Sequence, residues 1–167
     1  GKIALTRTNA EWLAELDRRG LLIRIPRLDQ DAYEATALMY RLIDQFGLYR
    51  TPAFLVDEVK IEGRWVRGPV LVNQYGHYHT EAVALGMDPA PGDGRATYRA
   101  AIARATELLK DGKFPTAACE EVSAADAPCK QVILEGDAID LTKFAFIQSN
   151  PADAGRYVNT GSVFTRD

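Results

Sequence analysis

Ala53-Phe54-Leu55-Val56-Asp57-Glu58-Val59-Lys60-Ile61-Glu62-Gly63-Arg64-Trp65-Val66-Arg67-Gly68-Pro69-Val70-Leu71-Val72 is the stretch on which the fold turns. Ala53 to Val56 is an unbroken apolar run of the kind a buried strand carries, and Val59-Lys60-Ile61-Glu62 alternates. Gly63 with Arg64 reads as a hairpin turn, and Val66 to Val72 returns as a strand. Pro69 cannot donate to a ladder, so it predicts an edge position or a bulge.

The period changes on either side of this hairpin. Upstream, Asn9 reads as a helix N-cap, Trp12, Leu13 and Leu16 share one helical face, and Gly20 is placed to end the helix. Leu21 to Pro26 reads as a strand with a proline stop. Asp29 or Asp31 can cap a second helix, in which Ala35, Leu38, Met39, Leu42, Ile43 and Phe46 recur at three- and four-residue spacing before Gly47. Downstream, a short helix is predicted over about Thr80 to Leu85. A longer one runs from about Ala96 to Lys110, with Tyr98, Ile102, Ala105 and Leu109 on one stripe. Residues 115–129 have no sustained period and read as a linker. Lys130 to Leu134 and Tyr157 to Thr165 read as strands, with a short turn at Ile139 to Leu141. The order predicts an α+β fold: an N-terminal α/β module, residues 1–127, followed by the first strands of a β domain, residues 128–167. A last strand that stops at Asp167 leaves backbone groups unpaired, which points to further strands beyond it.

Composition narrows the function classes. The chain has 167 residues, 20 Lys and Arg against 23 Asp and Glu, and a formal charge of −3. No block of like charge argues for nucleic acid or an anionic membrane as partner. No apolar run is long enough to span a bilayer, and the N-terminus lacks a signal peptide's apolar stretch, so the expected location is cytoplasmic. Cys119 and Cys129 lack CxxC spacing and read as free thiols in a reducing compartment.

Four constellations invite chemistry. His77-Tyr78-His79 with Glu81 allows a metal reading, but a catalytic site needs a third ligand and a second shell, and a capping role for His79 or Thr80 accounts for the segment better. Arg64-Trp65 is either a partner contact or a turn with its Trp packed on the sheet. Arg95, Arg99 and Arg104 are interleaved with alanine rather than aromatics and read as a solvated helix face. Gly92-Asp93-Gly94 has no following GK[ST], so it is no phosphate loop. Neither a Ser nor a Cys nucleophile with its base can be read from the chain.

Several segments in order resemble one family. Asp126-Ala127-Pro128-Cys129-Lys130, Val132, Leu134-Glu135-Gly136 and Ile139-Asp140-Leu141-Thr142 resemble its P-C-K-E-x-V…V-D-L-T segment. Asp153-Ala154-Gly155-Arg156-Tyr157-Val158 resembles its D-x-G-x-Y-I, and Gly161 to Asp167 its G-x-x-x-T-R-D. Upstream, Gly68 to Gly76 resembles P-V-L-x-N-x-Y-G, Ala84 to Met87 resembles A-L-G-L, and Gly20 to Ile25 resembles G-E-L-x-R-I. Together they are similar to the N-terminal portion of the UbiD-like carboxy-lyases. One departure stands out: Phe144-Ala145-Phe146-Ile147 occupies the place where the family carries prolines, which implies a differently shaped substrate entrance or a divergent subfamily.

The resemblance implies reversible, non-oxidative decarboxylation of an aromatic or α,β-unsaturated carboxylic acid. It implies prenylated FMN as the electron sink, with a manganese-type divalent ion and potassium at its phosphate. Residues 128–167 would begin the family's flavin-binding split β-barrel. Its metal ligands and proton-handling groups belong to segments after the T-R-D strand, so the resemblance assigns no catalytic residue and no metal ligand here. It places Thr160 near the flavin, where a hydroxyl can hydrogen-bond the ring or a substrate carboxylate. Asn159 is a weaker cofactor-binding candidate, because neighbours on a strand face opposite sides. It further implies self-association into a homo-oligomer and a flavin prenyltransferase as cofactor supplier. A different class is also compatible with the residues: a non-catalytic small subunit or scaffold for a separate catalytic chain. A flavin reductase built on the barrel alone is the weakest reading, because so few strands cannot enclose FMN.

Overall fold

The computed structural model describes residues 8–109, 112–113 and 121–158. The fold is α+β. Seven elements precede the C-terminal segment: α1 (Asn9–Arg18), β1 (Leu22–Asp29), α2 (Glu34–Phe46), β2 (Ala53–Ile61), β3 (Arg64–Val72), α3 (Tyr78–Ala84) and α4 (Gly94–Leu108). The strands form one mixed sheet in the order β1-β2-β3. β1 and β2 are parallel, joined by α2 as crossover, and β2 and β3 form the antiparallel hairpin.

The central strand sends alternate side chains to opposite faces. Ala53 and Leu55 join Trp12, Leu16, Leu21, Leu22 and Val83 in a core under α1 and α3. Phe54 and Val56 join Ala35, Leu42 and Leu28 in a second core under α2. Beyond Asp57 the alternation slips by one residue, so that Val59 and Ile61 also enter the second core. β1 slips in the same way, Ile23 and Ile25 being followed by Leu28, but β3 keeps its alternation, with Val66, Val70 and Val72 all on the second core. Val56 pairs with Val70 but Glu58 with Arg67, so Gly68 and Pro69 of β3 bulge opposite Asp57. The Gly68–Pro69 bond is cis. A Cβ on Gly68 would lie 2.7 Å from the Val56 carbonyl oxygen, so only glycine fits there. Pro69 thus occupies both predicted settings, on an edge strand and in a bulge.

Capping chemistry departs from expectation at two helices. Thr8, not Asn9, caps α1, its Oγ1 accepting from the Glu11 amide. Neither Asp29 nor Asp31 caps α2, which begins after Tyr33 in a left-handed conformation. Asp31 instead accepts from the Glu62 and Gly63 amides at 2.7 and 2.8 Å and fastens the hairpin turn. Both turn residues have positive φ, the twist that suits two-residue hairpins.

Three further expectations are corrected. β1 continues through Pro26 to Asp29 rather than stopping there. This is tolerated because β1 is an edge strand. In α4 the buried residues are Thr97 and Ala101, while the apolar stripe of Tyr98, Ile102 and Leu109 is exposed, Ile102 by 51%. Lys130 to Leu134 forms no strand. It follows a 3-10 turn at Pro128–Lys130, pairs with no described strand, and leaves Val132 77% exposed. Tyr157 makes a single antiparallel bridge to Ile147, Val158 is in no strand, and residues 159–165 of the predicted last strand lie outside the described residues.

Candidate functional site

Residues 141–158 cross the α2 side of the sheet and are fastened there by side chains of the N-terminal module. The Gln30 amide donates to the Gln148 carbonyl at 2.9 Å, and the Thr36 hydroxyl donates to the Ser149 carbonyl at 2.6 Å. Ala145 and Ile147 pack into the second core. Phe144 and Phe146 stack on each other with centroids 5.6 Å apart, and Phe146 lines the cavities on both sides of the crossing. The unusual Phe-Ala-Phe-Ile run therefore alternates between anchoring and lining. The loop that follows is closed on itself: Gln148 donates to the Asn150 and Asp153 carbonyls, and Asp153 accepts from the Asn150 amide.

The cleft along this seam has a volume of about 690 Å³. Gln30, Tyr33, Thr142, Phe146, Arg156 and Tyr157 contribute to its walls. Two side chains of its walls each carry a polar atom buried without a partner: Oε1 of Gln30 and Nη1 of Arg156. Gln30 is only 6% exposed, and the orientation of its amide is fixed because its nitrogen must face the Gln148 carbonyl. Arg156 reaches Glu62 only at 3.6 Å through Nη2. Each unpaired atom costs about 1–3 kcal/mol, so the seam retains an unused cationic donor and an unused acceptor. Nearby, Asp140 accepts from both the hydroxyl and the amide of Thr142. Those bonds, the hydroxyl's first, hold its carboxyl below the usual range. On the other side of Phe144, a cavity of about 900 Å³ brings together Trp12, Tyr75, Arg67 and Lys143. The Trp12 Nε1 there is also buried without a partner.

The other predicted sites resolve as follows. Asn159 and Thr160, the two cofactor-binding candidates, lie outside the described residues, as does Cys119. Cys129 is an exposed free thiol. His77 takes the capping role assigned in sequence to His79 or Thr80: its Nδ1 accepts from the His79 amide at 3.0 Å. Burial first, then the neighbouring His79 and Arg50, lowers its pKa to about 4, so the ring is neutral at pH 7. Among the described residues no cluster of three His, Cys, Asp or Glu is arranged to hold a metal ion. Trp65 is 46% exposed and lies under the Arg27 guanidinium, 5.1 Å from its ring centroid. Arg104 pairs with Glu107 on the surface of α4. Sequence reasoning missed the Gln30 and Arg156 cleft, which joins residues that no local motif links.

With this geometry in place, the comparison with known families falls on the same segment. Residues 120–167 match the family model described as UbiD, the 3-octaprenyl-4-hydroxybenzoate carboxy-lyase Rift-related domain. The match begins in the linker, runs through the seam, and includes Arg156 and Tyr157. The match covers the C-terminal part of the chain and is consistent with a fragment of a UbiD-like carboxy-lyase. No solved structure matches the chain significantly. No described helix is long and apolar enough to cross a membrane.

Proposed function

We propose that this chain is the N-terminal part of a prenylated-FMN-dependent carboxy-lyase. The enzyme would reversibly decarboxylate an aromatic or α,β-unsaturated carboxylic acid. The observation that carries this reading is the family match over residues 120–167. Prenylated FMN supplies the electron sink for the bond that breaks as carbon dioxide leaves. The resemblance puts the ligands of the manganese-type ion and of the potassium at its phosphate in segments after the T-R-D strand. Residues 1–127 would form the supporting module and residues 128–167 the start of the split β-barrel, with Thr160 and, less directly, Asn159 beside the flavin.

The role of the described residues is to bind and orient. Tyr33, Phe146 and Tyr157 give the seam aromatic walls, and Arg156 gives it a cationic donor without a partner. An aromatic ring fits those walls, and its carboxylate would have to meet Arg156 in place of Glu62 and away from Asp31, which line the same cleft. The test is to produce the full-length protein together with a flavin prenyltransferase and identify its retained cofactor by mass spectrometry. Retained prenylated FMN is expected. Protein that folds, self-associates and retains no flavin overturns the reading.

A further inference from the structure

Away from the seam, the start of α3, the start of α4 and the two flanking loops enclose a small aromatic pocket. Its volume is about 190 Å³, and it is lined by Tyr49, Tyr75, His77, Tyr78, Glu81 and Tyr98. Tyr78 is central: its ring lies 5.4 Å from those of Tyr49 and Tyr98. Gly94 makes this packing possible, since a Cβ there would come within 2.7 Å of the Tyr78 ring. Tyr49 and Tyr75 remain about half exposed, and Tyr98 is exposed as well, so the rings form an open box. Neither core nor seam uses them all: Tyr78, Tyr98, His77 and Glu81 line none of the larger cavities.

The lining itself carries a single charged side chain, Glu81, with the Arg50 guanidinium close enough to act on His77 from outside it. Among the described residues the Glu81 carboxylate has neither an ion pair nor a hydrogen bond. The one imidazole in the lining is neutral at pH 7. Arg50 is bridged through its backbone to His77, but its side chain lies by Gly47 and is not part of the lining. Tyrosine faces carry negative potential and attract cations that water solvates weakly. The volume exceeds what a bare metal ion needs, and the lining holds a single carboxylate, too few oxygens to replace a hydration shell.

We propose that this box of four tyrosines and Glu81 is a binding site for a quaternary ammonium group. The trimethylammonium head lies against the rings, and Glu81 balances its charge from the rim. Choline-type small molecules and trimethyllysine side chains share this chemistry. The carboxylate disfavours ligands whose own anion lies beside the ammonium.

The experiment is titration of the intact 167-residue chain with choline, with a trimethyllysine peptide and with 3,3-dimethylbutanol, the uncharged isostere of choline. Binding is followed by calorimetry and by tyrosine ring NMR signals. Saturable binding of choline or of the peptide is expected, at least tenfold tighter than the isostere, and the tighter of the two identifies the source. Tyr98→Ala should weaken binding at least tenfold and Glu81→Gln about threefold to tenfold. Tyr98→Phe should retain binding, because the ring face and not the hydroxyl is used. Circular dichroism of each variant checks that the fold is intact. Equal binding of the isostere, or no saturable binding of either cation to folded protein, overturns the proposal.

Discussion

Single side chains in this protein hold positions that the chain alone only half discloses. Asp31 was legible as a helix-capping residue and instead fastens the hairpin through the Glu62 and Gly63 amides, while α2 starts after Tyr33 in a left-handed conformation. Asp31→Ala should lower stability by about 1–2 kcal/mol through those two amides, read from urea denaturation; an unchanged midpoint would contradict the assignment. Two groups carry the largest shifts in the acid range. Glu15 is drawn down to about 2 from its ordinary 4.5, chiefly by its hydrogen bond to Arg18 and against some burial, with Arg19 adding to the pull. Its contribution is complete above about 4.5 and is lost as pH falls towards 2. His77 is lowered from 6.5 to about 4. The folded state therefore binds fewer protons than the unfolded chain between those values, and stability falls as pH drops from 6.5 towards 4. His77→Asn keeps a capping acceptor and should make that limb shallower, with His79, also lowered by burial, supplying the remainder; Glu15→Gln should likewise make the lower limb shallower beside Asp29, Asp88 and Asp140, and a pH series of melting temperatures separates the two. Arg156 has the opposite signature to a stabilising residue. Arg156→Met removes an unpaired buried donor and only a 3.6 Å contact to exposed Glu62. It should leave the ligand-free protein as stable or more so, while weakening binding of an aromatic acid. A large loss of stability would show that the donor is already satisfied.

At the scale of elements, the hairpin and the two amphipathic helices α1 and α2 were legible because burial follows their period. Leu16 and Leu42 fall where a single apolar stripe meets a single face of the sheet. The reading failed where nothing packs on a pattern. The Tyr98, Ile102 and Leu109 stripe is helical, but α4 rests on α3 through Thr97 and Ala101, with Thr97 donating back to the Asp93 carbonyl at 2.8 Å. Lys130 to Leu134 has strand composition and no described strand to pair with, so its propensity is not realised. The seam was invisible for a different reason: its contacts are not local, and Gln30 and Gln148 stand 118 positions apart. Ile147→Ala should loosen residues 141–158 from the sheet at a cost of about 1–2 kcal/mol. It should also speed hydrogen exchange at the Tyr157 amide, which donates to the Ile147 carbonyl, while β2 amides stay protected. Equal protection at Tyr157 in both proteins would mean the segment is held some other way.

For the whole molecule, what could be read in advance was the ordered series of family-like segments, and the match over residues 120–167 coincides with its C-terminal half. The cofactor side was less legible. Asn159 and Thr160 follow from resemblance alone and lie beyond the described residues, whereas the cleft comes from packing and owes nothing to a motif. Both meet at Arg156-Tyr157: Tyr157 bridges Ile147 within the matched segment, and Arg156 reaches Glu62 in the turn between β2 and β3. The account holds that this module shapes one wall of a carboxy-lyase whose chemistry resides in prenylated FMN. The most direct test is carbon dioxide release from a panel of aromatic and α,β-unsaturated acids by the full-length protein, produced with a flavin prenyltransferase and supplied with manganese and potassium. The account predicts release that depends on the prenylated cofactor. An intact, cofactor-loaded, metal-replete protein that releases carbon dioxide from no acid in the panel would contradict it.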